Sequence, residues 1–323
     1  MLNPSLPVVD AHHHLWQLSG GPLYYPWLQD PKSHDFFLGD YAALKRDYLP
    51  PDYRADAAGH NVVKTVHVEA ECSRDQQVAE TMWLTELHAR YGMPNAIVAH
   101  AWFHTPNAEE VIARQSEFSL VRGIRSKPVT SRGPRESVSG APGNMQDARW
   151  LAGLRLLRKF ELSWDLRVPT WHLEEAAAVA RANADIRVVL NHTGFPWDRS
   201  EAGLEMWRRG MRALAACEQV YCKLSCLCLR EGAWDYEDNR RIVLEAIEFF
   251  GVERCMFASN FPVDGLRVGF GRMFEHFKRM TAEFSEVERR ALFHDNAAAF
   301  YRLSPSKTAC TSPSARSAKP ASQ

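Results

Sequence analysis

The chain has 323 residues, 46% of them hydrophobic, with 39 Lys+Arg balanced by 39 Asp+Glu. That length is long for a β-sandwich and suits one α/β barrel with a large core. A formal net charge of zero provides no global field to attract nucleic acid or an anionic membrane surface, so the expected partner is a small, locally recognised substrate.

The opening MLNPSLPVVD has neither a charged n-region nor a long apolar h-region, so no signal peptide is expected. No run reaches the ~18 apolar residues of a membrane span. Apolar, β-branched runs predict strands at 7–14, 62–70, 96–103, 120–126, 162–169, 186–193, 220–227 and 254–260. Most are followed by a helical pattern. Asn107 is expected to cap a helix opening with Glu109 and Glu110. Asp147 is expected to cap DARWLAGLRLLRKF, where Trp150, Leu151, Leu154, Leu157 and Phe160 recur near helical spacing. Gly92 and Gly251 stand where helices should end. Two long irregular stretches, 16–60 and 128–146, follow the first and fourth strands and are expected to act as lids or substrate walls. Residues 304–323, rich in Ser, Ala, Pro and Lys, are expected to form a disordered tail after one domain spanning 1–303. The seven cysteines are odd in number and show no disulfide spacing, which points to reduced thiols in a cytoplasmic protein. Eight strands alternating with helices predict a parallel sheet. Pattern alone leaves a closed barrel and an open doubly wound sheet both open.

Four signals carry chemistry. In DAHHHLW, strand alternation puts His12 and His14 on one face, with Asp10 one step earlier on the same face and His13 opposite. Such a pair can hold a metal or a substrate carbonyl; the plain alternative is buried, satisfied histidines. In VVLNHTGFP, an apolar strand ends in His192, a residue type suited to acid–base work near neutral pH. In RCMFASNFPVD, a strand runs into Ser259, Asn260 and then Asp264. In VRGIRSKP, Arg125 near a strand end could clamp a carboxylate through its planar fork, or simply close the rim by a salt bridge.

Taken in order, DAHHHLW, GIRS, HTGFP, KLSC and SNFP resemble the lactonase-type branch of the amidohydrolase superfamily, which includes 2-pyrone-4,6-dicarboxylate lactonase and the sugar-acid lactonases. The likeness runs from VVDAHHHLW to FHDNAAAFY. It implies a (β/α)8 (TIM) barrel and a hydrolase that opens a lactone or similar cyclic ester of a small carboxylic or sugar acid. It puts Lys223 and Ser225 at the mouth beside substrate, and the superfamily often places a ligand histidine where His172 stands. His67, His100 and His104 are expected to be structural or exposed. If Lys223 and Ser225 face the mouth, Cys222, Cys226 and Cys228 lie on the opposite parity and pack under helices, not around zinc.

Two departures stand out. The family's eighth-strand carboxylate falls on Asn260, and the glycine of its seventh-strand pattern is Cys226. An amide neither takes a proton at neutral pH nor ligates zinc well, which leaves Asp264 as the nearest substitute carboxylate. Two mechanisms remain. Zn²⁺ held by His12, His14 and a third ligand would activate water, or a metal-independent site would use imidazoles, Arg125 and a base. The missing carboxylate favours the second, with Asp10 as a remaining candidate ligand. The alternatives to a lactonase are a decarboxylase of the same superfamily and a non-catalytic barrel that binds a small acid. Homo-oligomerisation stays open.

Overall fold

Runs dense in Val, Ile and Leu, each cut off by polar punctuation, form eight strands. They are β1 Val8–His13, β2 Val62–Val68, β3 Ala96–His100, β4 Val121–Arg125, β5 Ser163–Leu166, β6 Val188–Leu190, β7 Val220–Leu224 and β8 Cys255–Phe257. In the computed structural model, which describes residues 5–31 and 35–303, they pair in sequence order, each parallel to the next. β8 meets β1 where Asn260 N donates to His12 O at 2.8 Å and His14 N donates to Phe261 O at 2.8 Å. The ring therefore closes into an α/β barrel in one domain, and the open doubly wound sheet is excluded. The expected tail, residues 304–323, lies outside the described residues.

Every strand falls within its expected run but stops short of its C-terminal end. After β2, β6, β7 and β8 the chain enters left-handed turns. Glu71, His192, Thr193, Phe195, Cys226 and Asn260 all have φ between +52° and +61°. These left-handed turns lift the chain out of the ladder and aim side chains at the mouth.

The helices Gln77–Tyr91, Ala108–Ser116, Ala148–Lys159, Leu173–Ala182, Glu201–Ala215, Tyr236–Phe250 and Phe270–Met280 pack outside. The Asp147 side chain caps its helix by accepting from Arg149 N at 2.9 Å. Gly92 and Gly251, at φ +72° and +79°, close theirs. Asn107 occupies its expected position without making a side-chain cap. A turn in which Ala108 N donates to Thr105 O at 3.1 Å runs straight into the helix, so Asn107 never adopts the extended backbone of a capping residue. Between strands and helices lies one apolar layer, anchored by the buried Trp150, Trp164 and Trp207. Inside the barrel a smaller cluster of Val9, Ala11, Val66, Val98, Val189 and Met256 is floored by Phe300 and Tyr301. Among the described residues, no helix is long and apolar enough to cross a membrane.

One close approach sets a limit on the outer layer. Gly153, in the helix Ala148–Lys159, faces the Phe103 backbone so closely that an added Cβ would lie 2.3 Å from Phe103 O and 2.7 Å from its Cα. Helix propensity alone would make Gly153→Ala stabilising by ~1 kcal/mol. The neighbour is backbone and cannot swing away, so overpacking at ~1–3 kcal/mol should win. Urea denaturation is expected to show a net loss of stability; a gain would mean that the helix and the turn after β3 can separate without cost.

Candidate active site at the mouth of the barrel

A cavity of about 320 Å³ opens at the C-terminal ends of the strands. His14, Arg125, His192 and Asn260 line it, from β1, β4 and the turns after β6 and β8. Trp27, Phe36 and Phe37 of the first long loop form an aromatic wall, in which Trp27 and Phe36 stack at 5.5 Å. The second long loop, 128–146, does not serve as the expected wall: none of its described residues lines the cavity.

The histidines come first. His12 Nε2 lies 3.3 Å from His14 Nε2, and the His192 ring centre is 4.5 Å from that of His12. His14 Nδ1 is 2.8 Å from Val68 O. A carbonyl only accepts, so that nitrogen carries the proton and Nε2 is left basic. His12 Nδ1 faces the Lys223 ammonium at 3.5 Å. Its Nε2 faces the Arg125 guanidinium at the same 3.5 Å, so a donor-only cation stands at each ring nitrogen of His12. His192 Nδ1 meets Ser225 Oγ at 3.2 Å, and Nε2 has no partner among the described residues. Burial holds all three rings neutral near pH 7. His12 lies well below the usual imidazole range, by burial and then Lys223. His14 is lowered to about 4, by burial and then Arg125. His192 also lies well below, by burial and then Arg167.

Several expected roles change. For Arg125 a carboxylate clamp and a rim salt bridge were both open, and it forms the salt bridge: Nε donates to Glu69 Oε1 at 2.5 Å and Nη2 to Glu69 O at 2.6 Å, which leaves Nη1 near His12 Nε2 at 3.5 Å. Lys223 and Ser225 are fully buried and stand behind the histidines, away from the cavity lining. Lys223 Nζ donates to Asp165 Oδ1 at 2.6 Å, and Tyr301 OH and Asn191 Nδ2 each reach the same oxygen at 3.1 Å. His172 is outside the lining: its Nε2 accepts from Ser131 N at 3.0 Å and its Nδ1 meets Glu175 at 2.7 Å. It is a helix-start histidine tied to a loop. Asp264 also lies behind the lining, where its carboxylate accepts from Asn260 Nδ2 at 2.7 Å. Burial pushes that carboxyl up to about 7, against the pull of the Asn260 hydrogen bond. Cys222 and Cys228 pack in the outer apolar layer, as their parity implied.

Asp10 does not share the face of His12 and His14. The β1 register breaks between Asp10 and His13. The Asp10 carboxylate instead accepts from Ser259 N at 2.8 Å, Ser259 Oγ at 2.5 Å and Tyr53 OH at 2.7 Å. That saturation bears on metal binding. Asp10 is committed, Asn260 is an amide, and no group of three or more His, Cys, Asp or Glu among the described residues is placed to hold an ion. His12 and His14 alone fall short of the three protein ligands of a catalytic zinc.

Sequence reasoning missed Glu69, Glu71, Lys127, Asp165 and Arg167. Each is a charged residue in or just past an apolar strand, the signal that found His192. Burial raises the importance of the Lys223–Asp165 pair. Lys223→Met should cost ~3–5 kcal/mol in denaturant unfolding, because it strands a buried carboxylate. A change under 1 kcal/mol would show that Tyr301 and Asn191 alone hold Asp165.

The Asp264 shift gives a pH signature. Between its ordinary 3.8 and about 7, the folded state keeps a proton that the unfolded chain has lost. The stability this group contributes is therefore full at low pH and lost as pH rises through about 7. Asp264→Asn should gain on the wild type steadily from pH 4 to 7 and hold a constant difference above that. A pH-independent difference in unfolding free energy would refute the shift.

The amidohydrolase family pattern matches residues 9–303. An uncharacterized protein of Sinorhizobium fredii is 38% identical over 298 residues, covering 92% of this chain and 99% of that one. An L-fucono-1,5-lactonase of Burkholderia multivorans is 28% identical over 311 residues, covering 91% and 96%. A crystal structure of a Burkholderia multivorans amidohydrolase with bound zinc superposes with a TM-score of 0.75 at 25% identity, covering 92% of this chain and 99% of that one.

Proposed function

The chain belongs to the amidohydrolase family, and on that premise we propose that it opens the ring of a lactone, or a similarly activated cyclic ester, of a small acid by attack of water. The likeness to L-fucono-1,5-lactonases supports the reaction class. The observation that carries the reading is a pair of neutral imidazoles, His14 and His192, lining with Asn260 a cavity that cations also line, with the neutral His12 packed against both rings.

The chemistry follows from the free valences. In this reading His192 carries its proton on Nδ1, toward Ser225 Oγ, and presents a basic Nε2 to a water in the cavity. Asn260 has given its Nδ2 to Asp264, so its Oδ1 is the end left to accept the water's other proton and orient it. The water oxygen bonds to the lactone carbonyl carbon as His192 takes the proton. The developing oxyanion is stabilised by Arg125, whose Nη1 remains outside the Glu69 pair. Collapse breaks the ring C–O bond, and His192 returns the proton to the leaving alkoxide. The product is an open hydroxy acid.

We read the reaction as independent of a resident metal, because the donor set is a two-histidine pair ringed by Arg125 and Lys223. The buried, free thiols of the described cysteines suit a reducing compartment, and we read the location as cytoplasmic.

The test is a panel of γ- and δ-lactones assayed with and without chelator, with product mass recorded. Expected are a gain of one water, activity that survives chelation, and a loss of ~100-fold or more in kcat for His192→Ala. Loss of carbon dioxide would identify a decarboxylase. Abolition by chelator with rescue by zinc would overturn the metal-independent reading. Turnover by His192→Ala near that of the wild type would remove the assigned base.

A further inference from the structure

Resting on the lactone-opening reading, a count of charges at the cavity narrows the substrate. Three cations line it: Arg125, Lys127 and Arg167. Glu69 answers Arg125, and Glu71 answers Lys127 in a direct ion pair. The remaining acid of the lining, Asp35, is bound to Arg230 at 2.9 Å. Arg167, the first residue past β5, has no hydrogen bond or ion pair among the described residues. Its guanidinium instead lies over the Phe195 ring, 5.1 Å from the centroid.

That ring is itself held in place. Phe195 packs against Trp197 at 4.5 Å and His192 at 5.0 Å, and Trp197 stacks on Phe37 at 5.6 Å. An arginine laid on an aromatic face has its plane fixed and its five N–H donors turned outward. Partly buried, it shares its nearest carboxylate, Glu71, with Lys127 and has no ion pair of its own, so positive charge is left over for an arriving anion. The same ring touches His192, so the fork and the proposed base border one site.

We propose that Arg167 holds a carboxylate that the substrate carries in addition to the carbonyl under attack, so that the preferred substrates are lactones bearing a ring carboxylate. The planar fork suits bidentate capture of that group. Arg125 cannot take this role while Glu69 occupies two of its donors. Opening such a lactone yields a second carboxylate at the carbonyl under attack, near Arg125, while the Arg167 contact stays unchanged.

The experiment uses the full chain as wild type, Arg167→Gln and Arg167→Lys. Binding of glutarate and of inorganic phosphate is measured by calorimetry. kcat and KM are measured on δ-valerolactone and on a γ-lactone bearing a ring carboxylate. Expected is glutarate binding by the wild type that Arg167→Gln loses by ~100-fold, with partial recovery in Arg167→Lys. On the carboxylated lactone, Arg167→Gln should lose ~100-fold in kcat/KM, mostly through KM, and far less on δ-valerolactone. Its ligand-free melting temperature should hardly fall, since only the contact with the Phe195 ring is lost; a fall of several degrees would make Arg167 structural and overturn the proposal. So would equal losses on both lactones, no glutarate binding by the wild type, or phosphate bound in preference to glutarate. If neither lactone is opened but glutarate binds through Arg167, the lactonase reading fails and the carboxylate site stands.

Discussion

In the middle of the barrel an ammonium and a carboxylate, Lys223 and Asp165, lie 2.6 Å apart with both side chains wholly out of water. Much of the site is arranged around that contact. Asp165 on β5 also collects Asn191 from the end of β6 and Tyr301 from the C-terminal floor, so one carboxylate joins β5, β6 and β7 to the floor of the barrel. Lys223 then presents its remaining positive charge to His12. Burial first, and then that charge, keep His12 neutral, and His12 Nε2 lies 3.3 Å from His14 Nε2. Burying two charges gives little net stability over an apolar pair of the same size. What the pair supplies here is a fixed positive charge beside the imidazoles.

A second pair, Arg125 with Glu69, repeats the device between β2 and β4. Against the upward push of burial, Arg125, His100 and Lys127 together hold Glu69 below the ordinary carboxylate range. The two pairs surround the imidazoles with positive charge that is locally compensated. Protonating any of the three rings would place another cation among Lys223, Arg125 and Arg167, which is why the coulombic effects on His12 and His192 point downward together. Such a site favours neutral bases and developing anions.

The eight strands were legible because each is local, while closure of the ring rests on the β8–β1 contacts between residues far apart in sequence. Each strand is a short apolar run, and alternation with helices restricts the topology to few choices. His14, His192 and Asn260 were legible for the same reason: a polar residue that ends an apolar strand stands at a mouth. Partners were not legible. Glu69 and Arg125 are 56 residues apart, and Asp165 and Lys223 are 58 apart, so nothing in either segment says which carboxylate takes which cation. Arg125 and Lys223 therefore read as substrate contacts until their partners are seen. Asp10 misled differently. Simple alternation put it beside His12, and a break in the β1 register turned it to Tyr53 and Ser259. Arg167 ends DLR as plainly as His192 ends LNH, but an arginine past an apolar strand fits a rim salt bridge equally well, and only its surroundings show that it makes none.

The left-handed turns at the rim carry a consequence for how this surface can change. Glu71, His192, Thr193, Phe195, Cys226 and Asn260 occupy backbone that only glycine adopts freely, at ~1–3 kcal/mol each. Random substitution at such positions is biased: glycine is the one replacement the backbone itself rewards. At Cys226, which sits away from the cavity lining, that drift removes only a buried thiol. At His192 or Asn260, the same relaxation deletes the atoms that face the substrate. A library scored for stability alone would therefore fill the mouth with glycine and return a sturdier, inert barrel. Retention of side chains at these two strained positions is the mark of a surface kept for its chemistry.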